Sequence, residues 1–347
     1  MSGGALRRYS SVYLCVVLNE SKSMNQNEIC CPNCGNNLIL NENIDCSKCG
    51  AKYSVDNGIP LLFSPNNWDG EDVTGRVKSF YEETPFPNYE DMENTGDLIQ
   101  KAEKGVFAKL LNEQIPFNCK VLEVGCGTGQ LSNFLGITQR QVTGTDMCLN
   151  SLKLANDFKA RNQLDRVDFY QMNLFKPCFK KGSFHLVICN GVLHHTSKPF
   201  EGFKAISKLV KKNGYIIIGL YNTFGRLITD VRRAIFNMTN DSFKFLDPRL
   251  RNKEIGKTRK LTWFKDQYKH PHESKHTYGE VLEWFDKTGF EFTNSIPKIS
   301  SSFQANERLF KKNPEGNKAR RFMAQLNLFF KGSKEGGFFI MIGRKKR

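Results

Sequence analysis

The sequence predicts an α/β chain organised around a doubly wound sheet, with a small cysteine-clamped module ahead of it. Three observations lead there. Val121-Leu122-Glu123-Val124 is apolar and β-branched enough for a short buried strand, and it ends in Gly125-Cys126-Gly127-Thr128-Gly129. An apolar stretch from Gln130 to about Gly136 follows, so the order is strand, glycine turn, helix. A second strand, Gln141 to Thr145, then ends in Asp146.

Glycines at every second position neither continue a strand nor favour a helix. They make a tight turn in which the main chain comes close to a ligand that any Cβ would push away. An acid at the end of the second strand is placed to accept hydrogen bonds from ribose hydroxyls. The dinucleotide fingerprint G-x-G-x-x-G is not met, because the third glycine comes one residue early, and no P-loop Lys-Ser/Thr follows. On these residues the sequence resembles the class I S-adenosylmethionine-dependent methyltransferases, whose first motif is an acid followed by G-x-G-x-G. The resemblance covers roughly Lys120 to Tyr221. It implies a seven-stranded Rossmann-like sheet, S-adenosylmethionine as cofactor, and a cofactor site drawn from Glu123, Gly125, Cys126, Gly127, Thr128, Gly129, Asp146, Met147, Asn173, Leu174 and Asn190.

The 347 residues suffice for a full α/β domain plus one or two small additions. No apolar run is long enough to cross a membrane, which argues against an integral membrane protein. The formal charge of +16 favours an anionic partner such as RNA, DNA, a phosphorylated metabolite or a membrane surface. The basic residues are spread along the chain, so a solvated Lys-rich surface accounts for the charge equally well. Of the eleven cysteines, Cys126, Cys148, Cys178 and Cys189 fall in or beside core elements, where a thiol behaves as a small hydrophobe. That usage fits a reducing, cytoplasmic setting better than a disulfide scaffold.

Residues 1–29 read as a disordered leader. Arg7-Arg8 and the short run Val12 to Leu18 imitate a signal peptide without a clear cleavage site, and Met24 is an alternative start. Residues 30–64 read as a zinc ribbon. Cys31-Pro-Asn-Cys34 is followed, after eleven residues, by Cys46-Ser-Lys-Cys49, and two such knuckles suit tetrahedral Zn²⁺. Four thiolates leave no open coordination position, so the site is expected to be structural. Cys30 is adjacent and competes as a ligand, but it breaks the symmetric spacing. Tyr53 to Phe63 reads as strand, turn at Asn57-Gly58, strand. Knuckles and tail together resemble the small zinc-ribbon subunit that activates several tRNA, rRNA and protein methyltransferases, here fused ahead of the enzyme. Similar ribbons precede the rRNA guanine-N1 methyltransferases. A segment this small folds only with its metal.

Residues 65–115 read as a linker and an N-terminal helical segment. Ser64 to Gly75 is rich in Pro, Asn, Asp and Gly. Phe80 to Tyr89 resembles a proline-punctuated aromatic segment ahead of the cofactor motif in one branch of methyltransferases, where it covers the cofactor or shapes the acceptor pocket. A loop packing its aromatics on the sheet edge is the plain alternative. Asp97 to Gln114 carries Leu98, Ala102, Val106, Leu110 and Leu111 at helical spacing, with Asp97 as the cap and Pro116 as the stop.

Residues 116–347 form the methyltransferase domain implied by the resemblance, with an insert at about 222–276. Ser151 to Ala160 suits a helix, and Val167 to Met172 a strand ending at Asn173-Leu174. The family usually has an acid there for the adenine amino group; an Asn oxygen also accepts. Phe184 to Asn190 reads as a strand leading into Gly191-Val192-Leu193-His194-His195, and ligands sit at such strand ends. The family's corresponding segment lines the methionine end of the cofactor. Pro199 to Lys211 reads as a helix, Asn213-Gly214 as a turn and Tyr215 to Tyr221 as the fifth strand. The insert shows no strand pattern, is basic and holds Trp263, Phe264 and Tyr268, as a lid or acceptor-recognition segment would. His270, His272 and His276 are interrupted by Pro271 and read as a solvated loop or acceptor contact, not a metal cluster. Tyr278 to Lys287 suits a helix, and Phe290 to Ile296 and Gly337 to Ile342 the family's sixth and seventh strands, the seventh antiparallel. Lys318, Arg320 and Arg321 offer phosphate contacts or a plain helix surface.

Methyl transfer depends mainly on alignment of acceptor, methyl and leaving sulfur. A base is needed only where the acceptor must lose a proton, and His194 or His195 is the candidate. Each histidine equally suits helix capping or packing on cofactor. The leading expectation is transfer to a small-molecule acceptor. The rivals are an RNA methyltransferase, favoured by ribbon, charge and insert, and a catalytically inactive zinc-ribbon binding module. No Asn-Pro-Pro-Tyr motif follows the fourth strand, which weighs against adenine-N6 or cytosine-N4 chemistry.

Overall fold

A computed structural model describes residues 28–40, 43–68, 72–83, 85, 89, 92–300, 304, 306–330 and 336–346. The expected leader lies outside them up to residue 27. Its last two positions are instead tied to the body of the protein. Ile29 bridges Phe179, and the Glu28 carboxylate accepts both hydrogen bonds from Lys120 Nζ at 2.7 Å.

Two-residue strands open the chain: β1 (Ile39–Leu40), β2 (Ile44–Asp45) and β3 (Lys52–Tyr53) pair antiparallel in a small sheet. Strands this short have no stability of their own. β4 (Val55–Asp56) and β5 (Ile59–Leu62) form a hairpin whose loop residues Asn57 and Gly58 both have positive φ, 49° and 76°, matching the twist of paired strands.

The hairpin does not stay within the N-terminal module. β5 runs parallel to β8 (Val167–Met172), with Leu61 opposite Gln171 and Leu62 opposite Met172. The main sheet therefore has nine strands in the order β11-β12-β10-β9-β6-β7-β8-β5-β4. Seven of them are the expected set: β6 (Lys120–Val124), β7 (Gln141–Asp146), β8, β9 (Phe184–Asn190), β10 (Val210–Tyr221), β11 (Phe290–Ile296) and β12 (Phe338–Lys345). β12 lies antiparallel between β10 and β11, as the resemblance implied. The two additional strands cover what would be an open edge at β8, where unpaired peptide groups beside an apolar strand invite misassociation.

Helices fill the connections. α1 (Thr74–Glu83) precedes α2 (Thr95–Lys104) and α3 (Val106–Gln114), which replace the single helix expected over 97–114. Gly105, extended at φ −92° and ψ 109°, breaks it, since glycine loses most from helical restriction. Asn94 is the cap, and Asp97 is the third helical residue of a capping box in which each side chain satisfies the other's backbone N–H. α4 (Gln130–Ile137) and α5 (Leu149–Arg161) flank β7. α6 (Pro199–Ser207) ends before the expected Lys211, because Val210 and Lys211 already belong to β10. The pairing of β10 with β9 shifts between Val210 and Tyr215, around left-handed Asn213.

The insert is helical: α7 (Leu227–Met238), α8 (Pro248–Arg251) and α9 (Lys257–Tyr268) gather around Phe236, Phe264 and Tyr268 as a third, small core. α10 (Tyr278–Thr288) and α11 (Lys318–Phe330) complete the set. Alternation along the central strands makes the two main cores. Leu122, Val187 and Cys189 face one, and Val121, Leu186 and Ile188 the other. No helix among the described residues is long and apolar enough to cross a membrane.

Candidate active site

A cavity of about 590 Å³ opens at the carboxyl ends of β6, β7, β8, β9 and β10. Its floor is the glycine turn, where Gly125, Gly127 and Gly129 have φ of 69°, 54° and 71°. The three are not equivalent. A Cβ on Gly125 would lie 2.3 Å from Val192 Cγ2, and one on Gly129 2.7 Å from both Ala155 Cβ and the Phe169 ring. The first and third glycines therefore make room for the protein's own packing, in a conformation that already excludes most side chains. Gly127 lines the cavity; Thr128 and Gly129 do not, Thr128 being fully buried.

Asp146 closes this turn. Its Oδ2 accepts from Gly127 N at 2.8 Å and its Oδ1 from Cys148 N at 2.9 Å. Burial raises its carboxyl above the usual range, while these N–H bonds pull it back. Each oxygen keeps a lone pair for a ligand. Glu123, 8% exposed, accepts from Ser132 Oγ at 2.5 Å, and burial pushes its carboxyl up to about 7. Its protonation is thus worth more in the folded than in the unfolded chain. The stability it contributes is complete below the ordinary value of 4.5 and is lost as pH rises towards 7, about 3 kcal/mol in all. Glu123→Gln should remove that share: the change in stability between about pH 5 and about pH 8, read by denaturant unfolding, should differ between variant and parent by about 3 kcal/mol, the opposite contribution of the buried histidines being common to both. An identical pH slope in both would remove Glu123 as the cause.

Met147, Leu174, Cys126, Asn173 and Asn190 also line the cavity. Asn173 is already engaged: Nδ2 donates to Ser64 O and Asn66 Oδ1, both at 2.8 Å, and Oδ1 accepts from Phe175 N. Asn190 Oδ1 is different, being buried at the cavity with no partner. An unmet acceptor there suits a ligand carrying N–H or O–H groups.

The two histidines sit in a short 3₁₀ turn, Leu193–His195, with Nε2 atoms 3.0 Å apart. His195 Nδ1 lies 2.9 Å from the His272 carbonyl, which can only accept. His195 therefore carries its proton on Nδ1 and accepts from His194 at Nε2. That leaves His194 Nδ1 buried and unpaired. His270, expected in a solvated loop, stacks on His195 with ring centres 3.6 Å apart. Burial lowers all three: His194 well below its ordinary value, His195 to about 4 and His270 to about 3. His195 lines the cavity with both nitrogens engaged; His194 does not line it.

Residues 117–284 match the sequence model of a family described as a methyltransferase domain. The matched segment holds the glycine turn, Asp146 and Asn190. Two relatives are ubiquinone biosynthesis O-methyltransferases. That of Albidiferax ferrireducens is 29% identical over 104 residues, 30% of this chain and 41% of the relative. That of Escherichia coli O9:H4 is 29% identical over 140 residues, 38% of this chain and 58% of the relative. The chain thus spans about half the length of these curated relatives. Among solved structures, magnesium protoporphyrin IX methyltransferase from Synechocystis PCC 6803 with bound S-adenosylhomocysteine has a TM-score of 0.46 and 14% identity, over 78% of this chain and 99% of the other.

The cavity is completed by Asp266, Gln267 and Tyr221, which sequence patterns did not single out, and by Tyr81 of the aromatic segment expected to cover the cofactor or shape an acceptor pocket. Asp266 and Gln267 on α9 face it, with Tyr81 from α1 and Tyr221 from the end of β10. Tyr81 donates to Asp266 Oδ1 at 3.0 Å, and Gln267 Nε2 donates to Asp266 Oδ2 at 2.8 Å and to Tyr221 Oη at 2.7 Å. Behind them Arg226 pairs with Glu273 through Nε at 2.8 Å and Nη2 at 2.5 Å, and reaches Gln267 Oε1 at 2.5 Å. An Asp-Gln pair between the core residues Phe264 and Tyr268 was the one available signal. Lys318, Arg320 and Arg321 lie on α11, and none lines the cavity.

The four knuckle sulfurs of Cys31, Cys34, Cys46 and Cys49 lie within 4.8 Å of one another. Cys31 and Cys49 are 3.6 Å apart, and Cys34 and Cys46 3.4 Å. A tetrahedral Zn²⁺ with bonds of about 2.3 Å sets its sulfurs about 3.8 Å apart, so the set fits such an ion. Cys30 stands outside the cluster, its N–H donating to Cys178 O at 2.8 Å. Every cysteine among the described residues is free of disulfides.

Proposed function

We propose that this protein is an S-adenosylmethionine-dependent methyltransferase acting on a small-molecule acceptor in the cytoplasm, with a structural zinc in its N-terminal ribbon. The observation that carries the reading is one cavity in which the Gly127 turn, the spare lone pairs of Asp146 and the unmet oxygen of Asn190 converge at the strand ends. Such a switch-point crevice is where open α/β sheets bind nucleosides. The bound cofactor supplies a methyl already activated by its sulfonium. The chain's own part is to hold and align. Asp146 accepts from ribose hydroxyls while anchoring the turn, Glu123 braces it from below, and Asn190 accepts from the ammonium at the methionine end. Met147, Asn173 and Leu174 flank the adenine. The cavity, about 590 Å³, has room for a nucleoside and a compact acceptor beside it. The names of the curated relatives, O-methyltransferases of a quinone pathway, agree with an acceptor of that kind. Cys31, Cys34, Cys46 and Cys49 would hold the zinc, leaving no position for chemistry there.

Calorimetry with S-adenosylmethionine and S-adenosylhomocysteine tests the reading. Asp146→Ala removes the ribose acceptor and the two N–H bonds that shape the turn. It should weaken binding by about 1–3 kcal/mol. Unchanged affinity in that variant would place the nucleoside elsewhere, and no binding by the parent would leave the enzyme reading without support.

A further inference from the structure

We propose that Asp266 is the general base of this site and that the acceptor it serves is a phenolic hydroxyl. This rests on the methyltransferase reading above. Asp266 lines the cavity from the insert helix α9 and is 7% exposed. Among the described residues it forms no ion pair; its partners are the Tyr81 hydroxyl and the Gln267 amide. Both are neutral donors and take one lone pair from each oxygen, so the carboxylate can accept another hydrogen bond from within the cavity. The titratable and charged groups around it are Tyr81 on α1, Tyr221 on β10, Arg226 on α7, and His195 and His270. Arg226 is consumed by Glu273 and Gln267. His195 has both nitrogens occupied. His270 accepts from His272 N at Nδ1, so its proton is on Nε2, and its ring does not line the cavity; Asp266 is therefore the group left with basic capacity at this wall.

The walls select the acceptor. A cationic amine would seek open aromatic faces beside a carboxylate. Two of those faces are taken, Tyr221 by the Arg226 guanidinium at 3.7 Å and Trp263 by that of Arg249 at 4.0 Å. A neutral, flat molecule bearing a hydroxyl fits what remains between Tyr81, Trp263 and Phe338. Among hydroxyls, a phenol, with pKa of about 10, is acidic enough for a carboxylate to assist, and burial raises Asp266 in the helpful direction. The step balances. The phenolic proton passes to Asp266, the oxygen forms its bond to the methyl carbon, and the carbon–sulfur bond breaks with its electron pair staying on sulfur. The products are an aryl methyl ether and S-adenosylhomocysteine, and Asp266 returns its proton to solvent.

The test uses the full chain, labelled S-adenosylmethionine and catechol as acceptor, with S-adenosylhomocysteine affinity measured alongside. The parent should methylate the probe. Asp266→Asn, isosteric and still able to accept from Tyr81, should lose about 10²–10⁴-fold in rate with cofactor affinity kept. Tyr81→Phe removes a donor that favours the charged carboxylate, so the pH of half-maximal rate should move up. Cofactor binding without transfer to the probe overturns the phenol assignment, and an undiminished Asp266→Asn overturns the base. Should that variant fail to fold, an unmoved pH profile in Tyr81→Phe overturns it instead. Absence of cofactor binding by the parent is the separate failure of the methyltransferase reading.

Discussion

Cys46→Ser is expected to release the metal, unfold the N-terminal ribbon and weaken S-adenosylhomocysteine binding about tenfold or more. The first two effects follow from size. Strands of two residues around four sulfurs have little apolar core, so the free energy of zinc binding, about 10–16 kcal/mol in comparable small domains, is the folding free energy of such a module. The third follows from how the module is joined to the cavity. Asn33, inside the first knuckle, accepts from the Ser64 hydroxyl, and Ser64 O accepts from Asn173 Nδ2 at 2.8 Å. Asn66 holds the same amide, and β5 pairs with the end of β8. When the knuckle opens, Asn173 loses both partners at the cavity wall, worth about 1 kcal/mol each. Metal analysis and calorimetry on the same preparations check this. Zinc-free protein that binds the nucleoside at full strength would disconnect ribbon from site.

Glu273→Ala should cost about 3–5 kcal/mol of stability, the usual consequence of leaving one member of a buried ion pair alone. The side chains of Arg226 and Glu273 are 0% and 3% exposed, and the contact is bidentate. Burial alone would raise the Glu273 carboxyl, but Arg226 and Arg233 hold it down at about 2. The stability it contributes is present above the ordinary 4.5 and is lost as pH falls towards 2. The parent should therefore lose stability over that acid range while the variant, already destabilised, changes less. Denaturant titrations at neutral and acid pH measure both effects. A neutral-pH loss under about 1 kcal/mol would show the pair to be dispensable.

The elements that sequence reading located best carry their signal within a few residues. Val167–Met172 and Phe184–Asn190 have the expected bounds, since each is rich in β-branched or aromatic residues and is closed by an asparagine, Asn173 or Asn190. The knuckle cysteines converge as their spacing required, because two short turns leave four sulfurs few other arrangements. The helical stripe over 97–114 does not mark the break at Gly105, because α2 and α3 bury the same kind of stripe on either side of it. The glycine turn was located correctly, yet the reason for two of its glycines was not: Val192, Ala155 and Phe169 crowd them, and those residues lie far along the chain.

By itself the sequence determined where the seven strands of the main sheet's core fall, where the main chain turns without side chains, and which thiols can share an ion. These follow from steric preference, periodicity and covalent spacing. Only the tertiary structure decided that the ribbon's hairpin extends the main sheet, that Asn173 answers to Ser64, and that Tyr81 meets Asp266 across 185 positions of chain. Such meetings leave no periodic trace. A buried carboxylate is tolerated wherever packing happens to bring it donors, and that choice is made by the assembled layers, not by its neighbours in sequence.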